Sequence, residues 1–230
     1  MTFNKHKEKG FSLIEMIVAL AIFTTSTALT VPIITRNRWQ ADVDRYALQL
    51  ESGLYSLRAK LGSRKTSCNI EFPTTFSFQH PSTLIEFHKG QNAATFSCCD
   101  SQISQLINDP LCTNGHPGHQ LSAITNNPLD NLRLVQQEST PEAEHVRVAV
   151  SGTQFGFTPP GMTAESKELT FLICHKKAMA GITNGDECIP KKENLSIRCI
   201  QINGSGAVLK GTWTVPTATS PISGGECKVS

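Results

Sequence analysis

The stretch KGFSLIEMIVALAIF, Lys9 to Phe23, decides how this chain begins. It carries one acidic residue, Glu15, five positions after Gly10, in a segment that is otherwise apolar. Twenty residues without a charge, Met16 to Thr35, follow it. As a helix rising about 1.5 Å per residue they reach roughly 30 Å, the thickness of a bilayer's hydrocarbon core. A carboxylate there costs on the order of 2.5–3.5 kcal/mol on insertion scales. An ordinary anchor omits it, so Glu15 asks for a partner. The basic leader, Lys5, Lys7 and Lys9, sets that end in the cytoplasm by the positive-inside rule.

Two other readings stand beside this one. A Sec signal peptide has a small-residue cut site in Ser26-Thr27-Ala28, but its apolar core runs about 7–15 residues and avoids a carboxylate. A plain single-pass anchor explains neither Gly10-Phe11 nor Glu15. The whole pattern is a short basic leader, Gly10, Phe11, Glu15 as fifth residue after the glycine, and Pro32 as the twenty-second. It resembles the class III signal of type IV pilins and of the pseudopilins of type II secretion. The resemblance implies cleavage between Gly10 and Phe11 by prepilin peptidase, N-methylation of Phe11 and a role for Glu15 in subunit assembly. It also implies a place in the inner, cytoplasmic membrane, in contact with lipid. Other pilins or pseudopilins and an inner-membrane assembly platform are the implied partners.

The chain has 230 residues. A leader at 1–10 and a transmembrane helix at 11–35 leave room for one domain of ordinary size. The net charge of +2 comes from 21 basic and 19 acidic residues. Residues 1–10 hold three Lys and one Glu, so 18 of each sign remain and the mature chain is near neutral. No global basic field for nucleic acid exists. Eight cysteines all follow the membrane segment: Cys68, Cys98, Cys99, Cys112, Cys174, Cys188, Cys199 and Cys227. An even number beyond a span reads as disulfides in an oxidising compartment. The order is cytoplasm, membrane, then an extracytoplasmic domain.

Thr24-Thr25-Ser26-Thr27 is poor helix material, because hydroxyls compete for backbone groups, and Pro32 removes an N–H from the Ala28 carbonyl. A bend or local melting is predicted there, with Pro32 as the kink. Residues 36–62 are amphipathic: Trp39, Val43, Tyr46, Leu50, Leu54, Leu57 and Leu61 recur at steps of four and three. Gly62 is a natural stop. One helix from about Phe11 to Leu61 results. Residues 63–145 form a cysteine-rich insertion, with β-like runs at Thr75–Phe78 and Leu84–His88 and a short helix at Asp100–Asn108. Residues 146–230 read as a β domain, with strands at Val146–Val150, Phe155–Thr158, Leu169–Cys174, Leu195–Ile202 and Ala207–Val215.

The order FGFTPPG, LTFLIC, LSIRCIQINGSGAVLKG is similar to the C-terminal half of the GspH/FimT minor pseudopilins. The fold class is therefore α+β: a long N-terminal helix packed on an antiparallel, β-rich pilin head with disulfides. Cys174 and Cys199, in adjacent predicted strands, are the first disulfide candidates; Cys188 and Cys227 are the alternative partners of either. Cys112, His116 and His119, with Cys98 and Cys99, have a zinc-like spacing, but the turn-rich context and oxidising compartment favour disulfides and no metal. No G-x-S-x-G, Walker loop, H-E-x-x-H or dinucleotide fingerprint occurs, so neither catalysis nor a cofactor is expected.

Some relatives of this type take up DNA through a Gly-Arg-x-Arg element. The matching stretch here is Gly206-Ala207-Val208-Leu209-Lys210, with both arginines missing, so DNA is not an expected partner. Lys191, Lys192, Arg198, Lys210 and Lys228 remain as residues that a fold would have to gather on one face. The resemblance implies a structural subunit of a type IV pilus or type II secretion pseudopilus, at the tip or in assembly initiation. The rival is a recognition module at a pilus tip that binds DNA or a surface ligand through the cysteine-rich insertion.

Overall fold

The computed structural model describes residues 12–64, 67–87, 95–99, 132–158, 162–163, 168–180, 187–217 and 220–229. Helix α1 (Leu13–Arg64) contains Pro32 and passes the threonine-rich stretch without the predicted melting. There the hydroxyls bond back into the helix: Thr25 Oγ1 donates to the Ala21 carbonyl at 2.9 Å and Thr27 Oγ1 to that of Phe23 at 3.0 Å. They are satisfied inside the helix rather than competing with it. The helix ends two residues beyond Gly62, an ordinary fraying difference.

The chain forms two compact units, 1–38 and 39–230. In the first, the described residues belong almost entirely to α1. Leu13, Ile14, Met16, Ile17, Val18, Leu20, Ile22, Phe23, Val31, Ile33 and Ile34 are each at least half exposed.

The second unit holds the remaining half of α1 and two antiparallel sheets. One has the order β2 (Thr95–Cys99), β1 (Ser67–Glu71), β4 (Gln154–Thr158), β5 (Met162–Thr163). The other runs β3 (Val146–Val150), β6 (Leu169–His175), β7 (Arg198–Ile202), β8 (Val208–Thr214), β9 (Glu226–Val229). β1, in the stretch expected as an insertion, pairs with β4 of the expected β domain, so the sheets tie the two stretches together.

The predicted stripe of α1 is the core. Val43, Tyr46, Leu50, Leu54, Leu57 and Leu61 are at most 1 % exposed and meet Phe155 and Phe157 of β4 and Phe171 and Ile173 of β6. Trp39 departs from the stripe and packs on the second core, on the other face of the five-stranded sheet, with Leu172, Cys174, Cys199 and Trp213. Apolar layers on both faces explain why every residue of β6 is buried. Gly53 lets Leu134 and Val135 lie directly on the helix: a Cβ there would fall at 2.6 Å from Val135 Cα.

Three sequence expectations change. Thr75–Phe78 is not a strand: Phe76 has φ of 56°, its N–H bonds the Val150 carbonyl, and only Gln79 bridges to Val148. Leu84 ends a helical turn, α2 (Pro81–Leu84), whose first residue is a proline and whose cap is His80 Nδ1, accepting from Ser82 N–H. β7 starts at Arg198 rather than Leu195, because the Leu195 and Ser196 amides are taken by the Lys192 carbonyl and by Gln40 Oε1. The short, charged β9 has no alternation to announce it. The expected helix Asp100–Asn108 lies outside the described residues.

Candidate functional site: an exposed apolar helix with one carboxylate

Ser12 stands just before α1 and Glu15 is the helix's third residue. Glu15 Oε2 accepts from the Ser12 N–H at 2.8 Å, and Ser12's carbonyl accepts from Met16 N–H at 3.2 Å. This is half of a capping box, with a negative charge at the positive end of the helix dipole. That bond engages one carboxylate oxygen and leaves acceptor capacity for a cation. Gly10 and Phe11 lie outside the described residues. Among the described residues one helix is long and apolar enough to cross a membrane, with mean hydropathy 2.1 over its best window.

Disulfides brace the head. Cys174 and Cys199 are both oxidised, but not to each other: Cys174 bonds Cys188 and Cys199 bonds Cys227. The β6–β7 register explains the correction. Cys199 sits opposite Leu172, so Cys174 is its diagonal neighbour. Diagonal Cα separations of about 7–8 Å exceed the usual disulfide span. Cys227 of β9 instead reaches Cys199, with Cα atoms 5.8 Å apart. A Cβ on Gly211 would fall at 2.7 Å from the Lys228 carbonyl carbon. Cys68 is disulfide-bonded as well. Cys112, His116 and His119 lie outside the described residues, and among the described residues no group of three metal-ligating side chains approaches closely enough to hold an ion.

Three of the basic residues are engaged locally. Arg198 Nε and Nη2 clasp both oxygens of Asp44 at 2.6 and 3.2 Å, and Lys210 meets Glu51 at 3.1 Å. Burial raises the Asp44 carboxyl, but the bonds from Arg198 and Gln40 outweigh it and hold it below the usual value. Lys192 Nζ donates to the Met179 carbonyl at 2.6 Å. Acidic residues off the α1 stripe thus neutralise the cations nearest to it.

Sequence reasoning missed two buried polar sites in the head. Glu86, fully buried, accepts from Tyr46 OH at 2.9 Å and from the Ser139 N–H at 3.1 Å, and burial pushes its carboxyl up. His175, 2 % exposed, stacks on Trp39 and accepts the Lys177 N–H at Nδ1, so its proton sits on Nε2, 4.0 Å from Asp42. Burial first, then the charge of His145, lowers its value to about 4. These partners are far apart in the chain, and no local pattern marks them.

The prokaryotic N-terminal methylation motif matches residues 5–31. Two crystal structures of the type IV minor pilin FimU of Pseudomonas aeruginosa (strain PAO1) are similar in part. They are 12 % and 14 % identical, with TM-scores of 0.36 and 0.35. The matches cover 77 % and 82 % of this chain and 95 % and 96 % of those. No curated protein matches the sequence.

Proposed function

From a chain that is pilin-like at its N-terminus, we propose a minor pilin or pseudopilin: a structural subunit delivered to the inner membrane, trimmed between Gly10 and Phe11, methylated on Phe11 and assembled into a pilus or pseudopilus. The observation that carries this reading is α1's apolar segment, exposed all round and bearing the single carboxylate Glu15 inside the methylation motif. An apolar helix with no stripe is at home in lipid or among other helices. In lipid the exposed side chains are solvated. In a filament they pack on neighbouring subunits, and Glu15 exchanges its Ser12 contact for the amine of a neighbour's Phe11. Pairing removes two charges from apolar surroundings and fixes the helix register.

Prepilin peptidase, other pilins and the inner-membrane platform are the partners of this reading. Intact-mass analysis of membrane-extracted protein tests it. The expected chain begins at Phe11 and carries one methyl group. A chain still beginning at Met1, or cut near Ala28, overturns it. Gly10→Val blocks the cut, because the scissile bond has no room for a branched side chain.

A further inference from the structure

β7 and β8 are paired from Ile202↔Val208 to Arg198↔Thr212. One further bond, Trp213 N–H to the Ile197 carbonyl at 2.9 Å, closes the ladder. Beyond it the two segments part. Leu195 turns back to Lys192, Ser196 is held by Gln40, and Thr214 stays with Glu226 of β9. A groove of about 330 Å³ opens between them. Continued register would set Val215 opposite Leu195 and let the pair exchange two backbone bonds, since bonded pairs alternate along an antiparallel ladder. Neither is made. Among the described residues, Ile197 N–H and both backbone groups of Val215 have no protein partner.

The floor is apolar. Leu195, Ile197 and Trp213 are 2, 3 and 9 % exposed. The indole N–H is already given to the Ile222 carbonyl at 3.1 Å. With so little of its face open, Trp213 offers no platform for stacking a base or a sugar. The rim is cationic: among the described residues Lys191 and Lys228 line the groove and no carboxylate does. Lys228 has Glu226 at 3.8 Å, an exposed pair of little strength. The rim is also pre-shaped. Lys191 has φ of 62°, which non-glycine residues seldom adopt, just after the Cys174–Cys188 bridge.

We propose that this groove docks an extended, acidic peptide segment of a partner protein. The segment bonds its backbone to Ile197 and Val215 and sets carboxylates against Lys191 and Lys228. Unpaired sheet backbone supplies the affinity and the lysines supply the selectivity. This reaches beyond the assembly role, since the groove is built wholly within the head and binding is read on unassembled protein.

The test uses the full chain in detergent micelles and a fluorophore-labelled hexapeptide of alternating valine and aspartate, read by anisotropy. Saturable binding is expected, weakened about tenfold or more by Lys191→Glu with Lys228→Glu. Methylation of the peptide's backbone nitrogens should abolish it. With the wild-type protein, the acidic peptide should slow hydrogen exchange at the Ile197 and Val215 amides. Absence of saturation at millimolar peptide overturns the proposal. So does equal binding of a valine–lysine peptide or of the N-methylated peptide, or binding of oligothymidylate in place of the peptide.

Discussion

The two halves of α1 share one backbone ladder and little else. From Val43 to Leu61 the large apolar side chains, Leu48 and Tyr55 apart, keep to one stripe, and that stripe is sealed against the sheets. From Leu13 to Ile34 those described surround the axis and stay exposed. A striped helix finds its partner within its own chain; one apolar on every side needs a different surrounding. The angular distribution of apolar residues, not their number, separates the half that packs within its own chain from the half that stays exposed.

The largest expected effect breaks this contrast directly. Leu54→Ala, at a fully buried position, should destabilise the head by about 2–5 kcal/mol, whereas Ile17→Ala should change it by less than about 0.5 kcal/mol. Chemical denaturation of both variants in micelles compares them. Equal effects would mean that the halves are not distinct. Acid comes next. His175 titrates near 4 when folded, below its ordinary 6.5. The unfolded chain therefore takes the proton first as pH falls. The His175 contribution to stability should drop between about 6.5 and 4, by roughly 3 kcal/mol, and level off below. His175→Asn, which keeps an acceptor for the Lys177 amide, should flatten that slope in a pH series of denaturation curves.

Gly53→Ala sharpens the comparison further. On an open helix face it would add about 1 kcal/mol. Here the new methyl meets the Leu134–Val135 backbone, and a net loss of about 1–3 kcal/mol is expected from the denaturation midpoint. The smallest effect on stability belongs to Glu15→Val. It should leave head unfolding unchanged within about 0.5 kcal/mol and membrane insertion intact, yet impair recovery of the subunit in sheared filaments. Normal recovery would leave Glu15 as no more than a helix cap.

The amphipathic half of α1 was legible because its period repeats over several turns, and β3 and β6 were legible from runs rich in Val, Ile, Leu and Phe between turn residues. Glu15 was legible as a charge out of place. Other features depend on where distant segments meet. Gly53 looks like a poor helix residue until Leu134 arrives. Tyr46 and Glu86 are ordinary until both are buried. Lys191 and Lys228 stand 37 positions apart and join only as the rims of a groove.

The Cys199–Cys227 bridge has a mechanical meaning. An edge strand held by hydrogen bonds alone peels away one bond at a time when its end is pulled, and it is also the strand most readily exchanged with a neighbouring molecule. Here β9 is covalently tied past β8 to β7 by a bridge between residues 28 positions apart. Traction on the last strand bypasses the weak β8–β9 ladder and enters the sheet at β7, which is clamped by β6 and β8. Rupture then requires shearing several strands at once, and strand exchange between copies requires a reductant.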